Sequence, residues 1–356
     1  MKQLNKQIWI LLLLIGAILV VGCSGAGETA VSIQDDHESD HDHETEAGVL
    51  TLPELEAAAL DGAPLKVVAT TSIIGDVVAQ VGGEAIELTT LMGPGQDPHS
   101  FEPSARALTA VADAHVIFVN GWDLEEALVH DLEEIGGDVP VVAISANIEP
   151  LAFGEDVHDD EHNDGHEDEH EDEHAHSGAD PHVWFSIHNV EQWVENAEHV
   201  LSDLDPANAD TFERNAATYL AELAELEAYV ASELAQIPED RRFLATNHGS
   251  FSYFAKAYDF TVLGTVIPGN STVAEPSASD LTDLIETMAE HDVCTIFTEV
   301  TVSDGLAQTV AGELIECDEV QVLPLYTGAL GLAGSNADSY ISMFRTNVDA
   351  IVAGLQ

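Results

Sequence analysis

Short apolar runs alternate along this chain with longer stretches whose apolar residues recur every three or four positions. In the first half, KVVATT (66–71) is a β-rich run, and the IIGDVVAQVGG that follows reads as a helix closing on Gly82 and Gly83. IELTTLM (86–92), HVIFVNG (115–121) and VPVVAIS (139–145) supply three more strands, the last two behind helical segments. Strands that are nearly all apolar and alternate with helices predict a parallel sheet covered on both faces.

The same order returns after residue 240. RFLATNH (242–248), FTVLGTV (260–266), CTIFTEV (294–300) and VQVLPLY (320–326) are strand candidates, with helices expected around 250–258, 280–291, 303–315 and 338–352. Between the halves, Pro206 and Pro238 bracket a stretch in which Tyr219, Leu220, Leu223, Leu226, Tyr229 and Val230 recur at helical spacing, the start and stop of one long helix. Its roughly 30 residues would span about 45 Å. The expectation is an α/β protein of two lobes, each a mostly parallel sheet flanked by helices, residues 65–205 and 239–356, joined by one long rigid helix over 206–238.

Ligands of open parallel sheets sit beyond the carboxyl ends of the strands, so two facing lobes make the cleft between them the expected site. Three histidines fall in such loops. His99 lies in GPGQDPHSFEPS after the IELTTLM strand, His182 in ADPHVWFS ahead of a helix, and His248 directly after RFLATN at a helix entrance. Three neutral imidazoles can surround one Zn²⁺ at about 2.0–2.1 Å each, and the repeated Asp-Pro-His of 97–99 and 180–182 offers carboxylates in supporting roles. His115, His130, His188, His199 and His291 begin a strand, sit on helix patterns or occupy a short turn, where surface or packing roles are the expectation.

Composition changes the picture in two places. Residues 151–178 carry His158, His162, His166, His170, His174 and His176 among twelve Asp and Glu residues. So little apolar area cannot offset about 1–2 kcal/mol of ordering entropy per residue, which predicts a mobile loop with loose affinity for divalent ions, either prebinding metal or simply solvating the surface. The chain also carries nine basic against 66 acidic residues, a formal charge of −57, which removes nucleic acid as a partner and points to a salty habitat.

The chain begins with Lys2 and Lys6 before an apolar run of fourteen residues, Ile8 to Val21, short of the roughly 20 needed to span a bilayer. That reads as a signal peptide over 1–22. Val20-Val21-Gly22-Cys23 resembles a lipoprotein cleavage box, which makes Cys23 the lipid-attachment residue, followed by an acidic flexible tether over 23–64 that includes His37, His41 and His43. The folded part is thereby expected on the extracytoplasmic face of the cell membrane. Cys294 and Cys317, the other two cysteines, are compatible there with a disulfide or with two separate buried thiols.

VVATTSIIGDVVAQVGG, LMGPGQDPHSFEPS, VIFVNGWDLE, ADPHVWFS, TNHGSFSYFAKAY, IFTEVTVS and DSYISMFRTNVDAIVAGL together resemble, in order over about residues 65–355, the cluster A-I solute-binding proteins of ABC transporters. The resemblance implies two lobes, a metal between them, and delivery by a monomer to a membrane permease with its cytoplasmic ATPase. It assigns His99, His182 and His248 as ligands; an all-imidazole set favours Zn²⁺, with Mn²⁺ as the alternative. The acidic fourth ligand usual in the family falls on Gly328, leaving water, Glu299 or Asp338 to complete the site. Two other classes are weighed beside this one. A zinc-dependent hydrolytic enzyme would use the same three histidines and water, though no HExxH, P-loop or GxSxG pattern is present. A cell-surface adhesion protein is compatible with metal binding but has no signature of its own.

Overall fold

The computed structural model describes residues 48–125, 128, 129, 132, 135–152 and 178–356. The expected signal peptide, Cys23, tether residues 23–47, His130 and residues 153–177 of the acidic loop lie outside them.

All eight expected strands form. In the first lobe they are β1 (Leu65–Ala69), β2 (Ile86–Thr90), β3 (Val116–Val119) and β4 (Val141–Ala143), every pairing parallel, in the order β2-β1-β3-β4. The inner strand β3 is buried throughout, whereas edge strand β2 alternates between half-buried and exposed positions. Helix α1 (Ser72–Gly82) covers one face with Ile74, Val77, Val78 and Val81; Thr71 caps it by accepting from the Ile74 N–H at 3.2 Å. Helix α2 (Ala105–Ala112), capped by Ser104, covers the other face, where Val111 packs with Val68 and Ile117.

Two antiparallel helices follow, α3 (Ile187–Leu204) and α4 (Ala209–Leu234). α4 is the expected long helix, 26 residues or about 39 Å, shorter at both ends than 206–238. Asn208 Nδ2 donates to Asp205 Oδ2 at 2.6 Å and closes a turn through Pro206 before the helix starts, and Ile237 and Pro238 leave it beyond Ala235. Phe212, Ala216, Tyr219, Leu223, Leu226, Val230 and Leu234 form its buried stripe, spaced three or four apart.

The second lobe repeats the first. β5 (Phe243–Thr246), β6 (Thr261–Thr265), β7 (Thr295–Glu299) and β8 (Gln321–Leu325) pair in parallel in the order β6-β5-β7-β8. Helices α5 (Ser252–Tyr258), α6 (Ala278–Glu290), α7 (Gly305–Glu313) and α8 (Tyr340–Leu355) flank this sheet, the second and last opened by capping boxes at Ser277 and Ser339. α4 packs against α1 and α3 on one lobe and α8 on the other, so one apolar core, with Ile74, Trp193, Leu223 and Phe344 among its members, runs through both. Cys294 and Cys317 form a disulfide with Cα atoms 5.8 Å apart, joining the start of β7 to the segment after α7.

One boundary differs from expectation. Residues 48–64, assigned from sequence to the flexible tether, lie on the folded body: Leu52, Leu55, Ala58 and Leu60 pack against the core. The Asn147 N–H donates to the Leu50 carbonyl at 2.8 Å, and the Ala58 N–H to the Leu204 carbonyl at 2.8 Å. Its leucines give this strap apolar area to set against its ordering, which the acidic stretch before it lacks.

Candidate metal centre

The carboxyl ends of both sheets bring the three expected histidines to one point. His99 follows β2 in a loop tied down by its own polar residues: the Gly93 N–H donates to Gln96 Oε1 at 2.6 Å, and Asp97 Oδ1 accepts from the His99 N–H at 3.0 Å. Asp97 Oδ2 accepts from Thr272 Oγ1 of the second lobe at 2.6 Å. Asp97 therefore fixes backbone and lobe contact, not the imidazole. His182 stands just before a short turn that opens α3, and Asp180 Oδ1 accepts both its N–H at 2.9 Å and its Nδ1–H at 2.8 Å. His248 leaves β5, and its Nδ1–H donates to Oε1 of Glu299 at the end of neighbouring β7. Asn247 Nδ2 and Thr327 Oγ1 hold the same carboxylate at 3.3 and 2.5 Å.

With Nδ1 of His182 and His248 committed as donors to carboxylates, their Nε2 atoms carry lone pairs. These atoms lie 3.1 Å apart, and His99 Nε2 is 3.3 Å from His182 Nε2. Two lone pairs facing at this distance repel unless something positive stands between them. Three nitrogens at about 2.05 Å from one tetrahedral ion would be separated by about 3.3 Å, which the observed spacing matches. All three ligand-type atoms lie within 4.8 Å of one another, and among the described residues no other group of His, Cys, Asp and Glu does this.

Burial governs the protonation of the site. It pushes the His99 imidazole down to about 2, with the neighbouring His182 and His248 adding to the effect. Burial also lowers His182, partly offset by Asp180. For Glu299 burial acts upward, but the electrostatic pull and hydrogen bond of His248, together with the hydrogen bonds of Thr327 and Asn247, outweigh it and leave the carboxyl below its usual value. A consequence follows for the metal-free protein. Its unfolded chain takes up protons near the ordinary imidazole value of 6.5, whereas folded His99 stays neutral until about 2, so over that window the unfolded state binds more protons and stability falls as pH falls. Glu125, whose carboxyl burial pushes up to about 7, acts in the opposite sense as pH falls from about 7 toward 4.5, so the His99 contribution is read as a difference. Between about pH 7.5 and 4.5 the change in Tm of the stripped parent is expected to be less favourable than that of His99→Gln.

None of the side chains considered for a fourth position reaches in. Both Glu299 oxygens are engaged as described, which makes it the partner of His248. Asp338 is exposed at the start of α8, where it accepts from the Gly334 N–H at 2.8 Å. Gly328 lies against the His99 loop, and a Cβ there would come 2.8 Å from Pro98 Cδ, so a side chain of any kind would press on the turn that carries His99. Two supporting residues escaped the sequence reading. Trp184 packs edge-on to His182 with ring centroids 5.3 Å apart. Tyr253 donates its hydroxyl to the Asp180 carbonyl at 2.9 Å. Only their closeness in sequence to His182 and His248 could have drawn attention to them.

Fold and site together define a two-lobed binding protein whose ligand-type side chains meet where the strand ends of both sheets converge. Residues 67–354 match the family described as "Zinc-uptake complex component A periplasmic", and the chain belongs to that family. It is a metal-binding substrate-binding protein of an ABC transporter and not an enzyme, which sets aside the hydrolytic reading. It is 33% identical over 296 residues to the manganese-binding lipoprotein MntA of Halalkalibacterium halodurans, covering 83% of this chain and 90% of that one. It is 31% identical over 300 residues to the zinc-binding protein TroA of Treponema pallidum, covering 84% and 91%. The solved structure of the Treponema pallidum periplasmic zinc-binding protein TroA superposes with a TM-score of 0.70 at 28% identity, covering 82% of this chain and 99% of that one.

Proposed function

We propose that His99, His182 and His248 hold one divalent ion, Zn²⁺ as the principal cargo, and that the protein presents it to a membrane permease driven by a cytoplasmic ATPase. The observation that carries this is the convergence of the Nε2 atoms, 3.1 and 3.3 Å apart, each of two imidazoles fixed from behind by a buried carboxylate. Relatives are named for manganese and for zinc. The choice of zinc rests on the donor set, since three imidazole nitrogens suit Zn²⁺ and harder Mn²⁺ takes more carboxylate oxygen. A water completes a tetrahedral shell in place of the missing acidic side chain at Gly328.

The N-terminal sequence supports a membrane location for this receptor. A signal peptide over 1–22, lipid on Cys23 and a tether that gives way to the packed strap near residue 48 would hold a monomer at the extracytoplasmic face of the membrane; several relatives are named lipoproteins. Competitive titration of the metal-stripped protein tests the function, run in parallel on a variant lacking residues 155–176 so that the histidine-rich segment does not contribute. Both proteins are expected to bind one tight equivalent of Zn²⁺ that an equal concentration of Mn²⁺ does not displace. Preferential retention of Mn²⁺ would make this a manganese receptor; loss of the tight equivalent with the deleted segment would move the principal site away from the triad.

A further inference from the structure

The segment that carries His182 is held to the opposite lobe on both sides. After it, Tyr340 donates its hydroxyl to the Trp184 carbonyl at 2.8 Å and Trp184 Nε1 donates to the Thr327 carbonyl at 2.9 Å; before it, the Asp180 carbonyl is gripped by one hydroxyl. Tyr253, on α5 of the second lobe, is 4% exposed. Its hydroxyl donates to the Asp180 carbonyl at 2.9 Å and accepts from the Leu151 N–H at 3.0 Å, so both hydrogen-bonding capacities are used. Leu151 and Asp180 face each other: the Asp180 N–H donates to the Leu151 carbonyl at 2.8 Å, and the adjacent Ala152 and Ala179 form an antiparallel bridge. Asp180 in turn fixes both backbone and imidazole of His182. Within the first lobe, Asn120 Nδ2 donates to the next carbonyl, that of Pro181, at 2.8 Å. Successive carbonyls of the Asp-Pro-His turn are thus held from two sides, one by each lobe.

We propose that Tyr253 is a positioning residue for metal retention: its hydroxyl makes the register of His182 depend on the second lobe staying seated against the first. Five residues earlier the same lobe supplies His248, so α5 and the β5 end deliver one ligand directly and control a second through Asp180. Separation of the lobes withdraws Tyr253 from Asp180 together with His248 from the ion, so two of three nitrogens lose their places in one movement. This rests on the metal site proposed above.

The test is Tyr253→Phe in the full chain, which keeps the ring and removes one oxygen. Zn²⁺ release into excess chelator is expected to be about tenfold faster, the scale of one buried hydrogen bond, and the visible absorption of the Co²⁺-loaded protein is expected to change as His182 shifts. Tyr258→Phe removes another hydroxyl of the same helix, one that donates to Glu227 Oε2 at 2.9 Å away from the histidines, and is expected to leave both readouts as in the parent. A Tyr253→Phe protein with parental release rate and Co²⁺ spectrum overturns the proposal, as does Tyr258→Phe giving an equal acceleration, which would mark a general loss of stability. His182→Ala separates the two readings. Loss of tight binding in that variant with an unaltered Tyr253→Phe brings down only the role of Tyr253, whereas retained tight binding brings down the site and Tyr253 with it.

Discussion

Alanine at His248 is expected to weaken Zn²⁺ capture by roughly 100- to 1,000-fold, because apparent binding energies of about 10–16 kcal/mol at closed zinc sites divide into about 3 kcal/mol or more per ligand. The loss should fall on affinity and leave the fold intact, since the strand end that presents His248 is tied by backbone bonds: the Gly249 N–H donates to the Gly269 carbonyl at 2.9 Å and Ile267 to Asn247 at 2.7 Å. Glu299→Gln is the informative companion. Its side-chain oxygen can still accept from His248 Nδ1, but the charge that makes the imidazole a better donor to metal is gone, and the expected loss is about 10- to 100-fold. Chelator competition on both variants orders them. Equal losses would mean that Glu299 binds the ion itself, contrary to its hydrogen bonds with His248, Asn247 and Thr327.

The second large effect is on stability in dilute salt. Nine basic residues face 66 acidic ones, and among the described residues no lysine or arginine forms a salt bridge, the carboxylate contacts of this kind all being made by histidines. Arg242 directs its guanidinium to the carbonyls of Leu234, Ile237 and Tyr258, and Arg345 lies over the Tyr229 ring at 4.2 Å, so even these arginines leave the acids uncompensated. Repulsion among them acts over a screening length of about 10 Å at 0.1 M salt and about 3 Å at 1 M. Tm is expected to rise by about 10 °C or more between about 0.05 and 2 M KCl, equivalent to a few kcal/mol for a protein of this size. A flat dependence would show that the acids are spaced too widely to matter and would remove the inference of a salty habitat.

Much of this was legible in the sequence because its signals are local. Each strand is a self-contained apolar run, and the Asp-Pro-His pairs announce loops beyond strand ends; Asp180 could be matched to His182 because the two are two residues apart. What escaped depends on folding. Glu299 was legible as a residue near the site, but as a possible ligand and not as the partner of His248, a role it takes because β5 and β7 are neighbours in the second sheet. Gly328 looks like a missing ligand until its approach to Pro98 shows that the His99 loop occupies the space a side chain would need. The strap over 48–64 was read as tether because its leucines follow a strongly acidic stretch, and only the core they meet, through Leu52, Leu55 and Leu60, separates the two.

In the proposed site three imidazoles from two lobes share one ion. X-ray absorption at the zinc edge, on the full chain loaded with one equivalent of Zn²⁺, tests it most directly. Three imidazole nitrogens and one oxygen at about 2.0–2.1 Å are expected. A shell dominated by carboxylate oxygens, or one with fewer than three imidazoles, would contradict it.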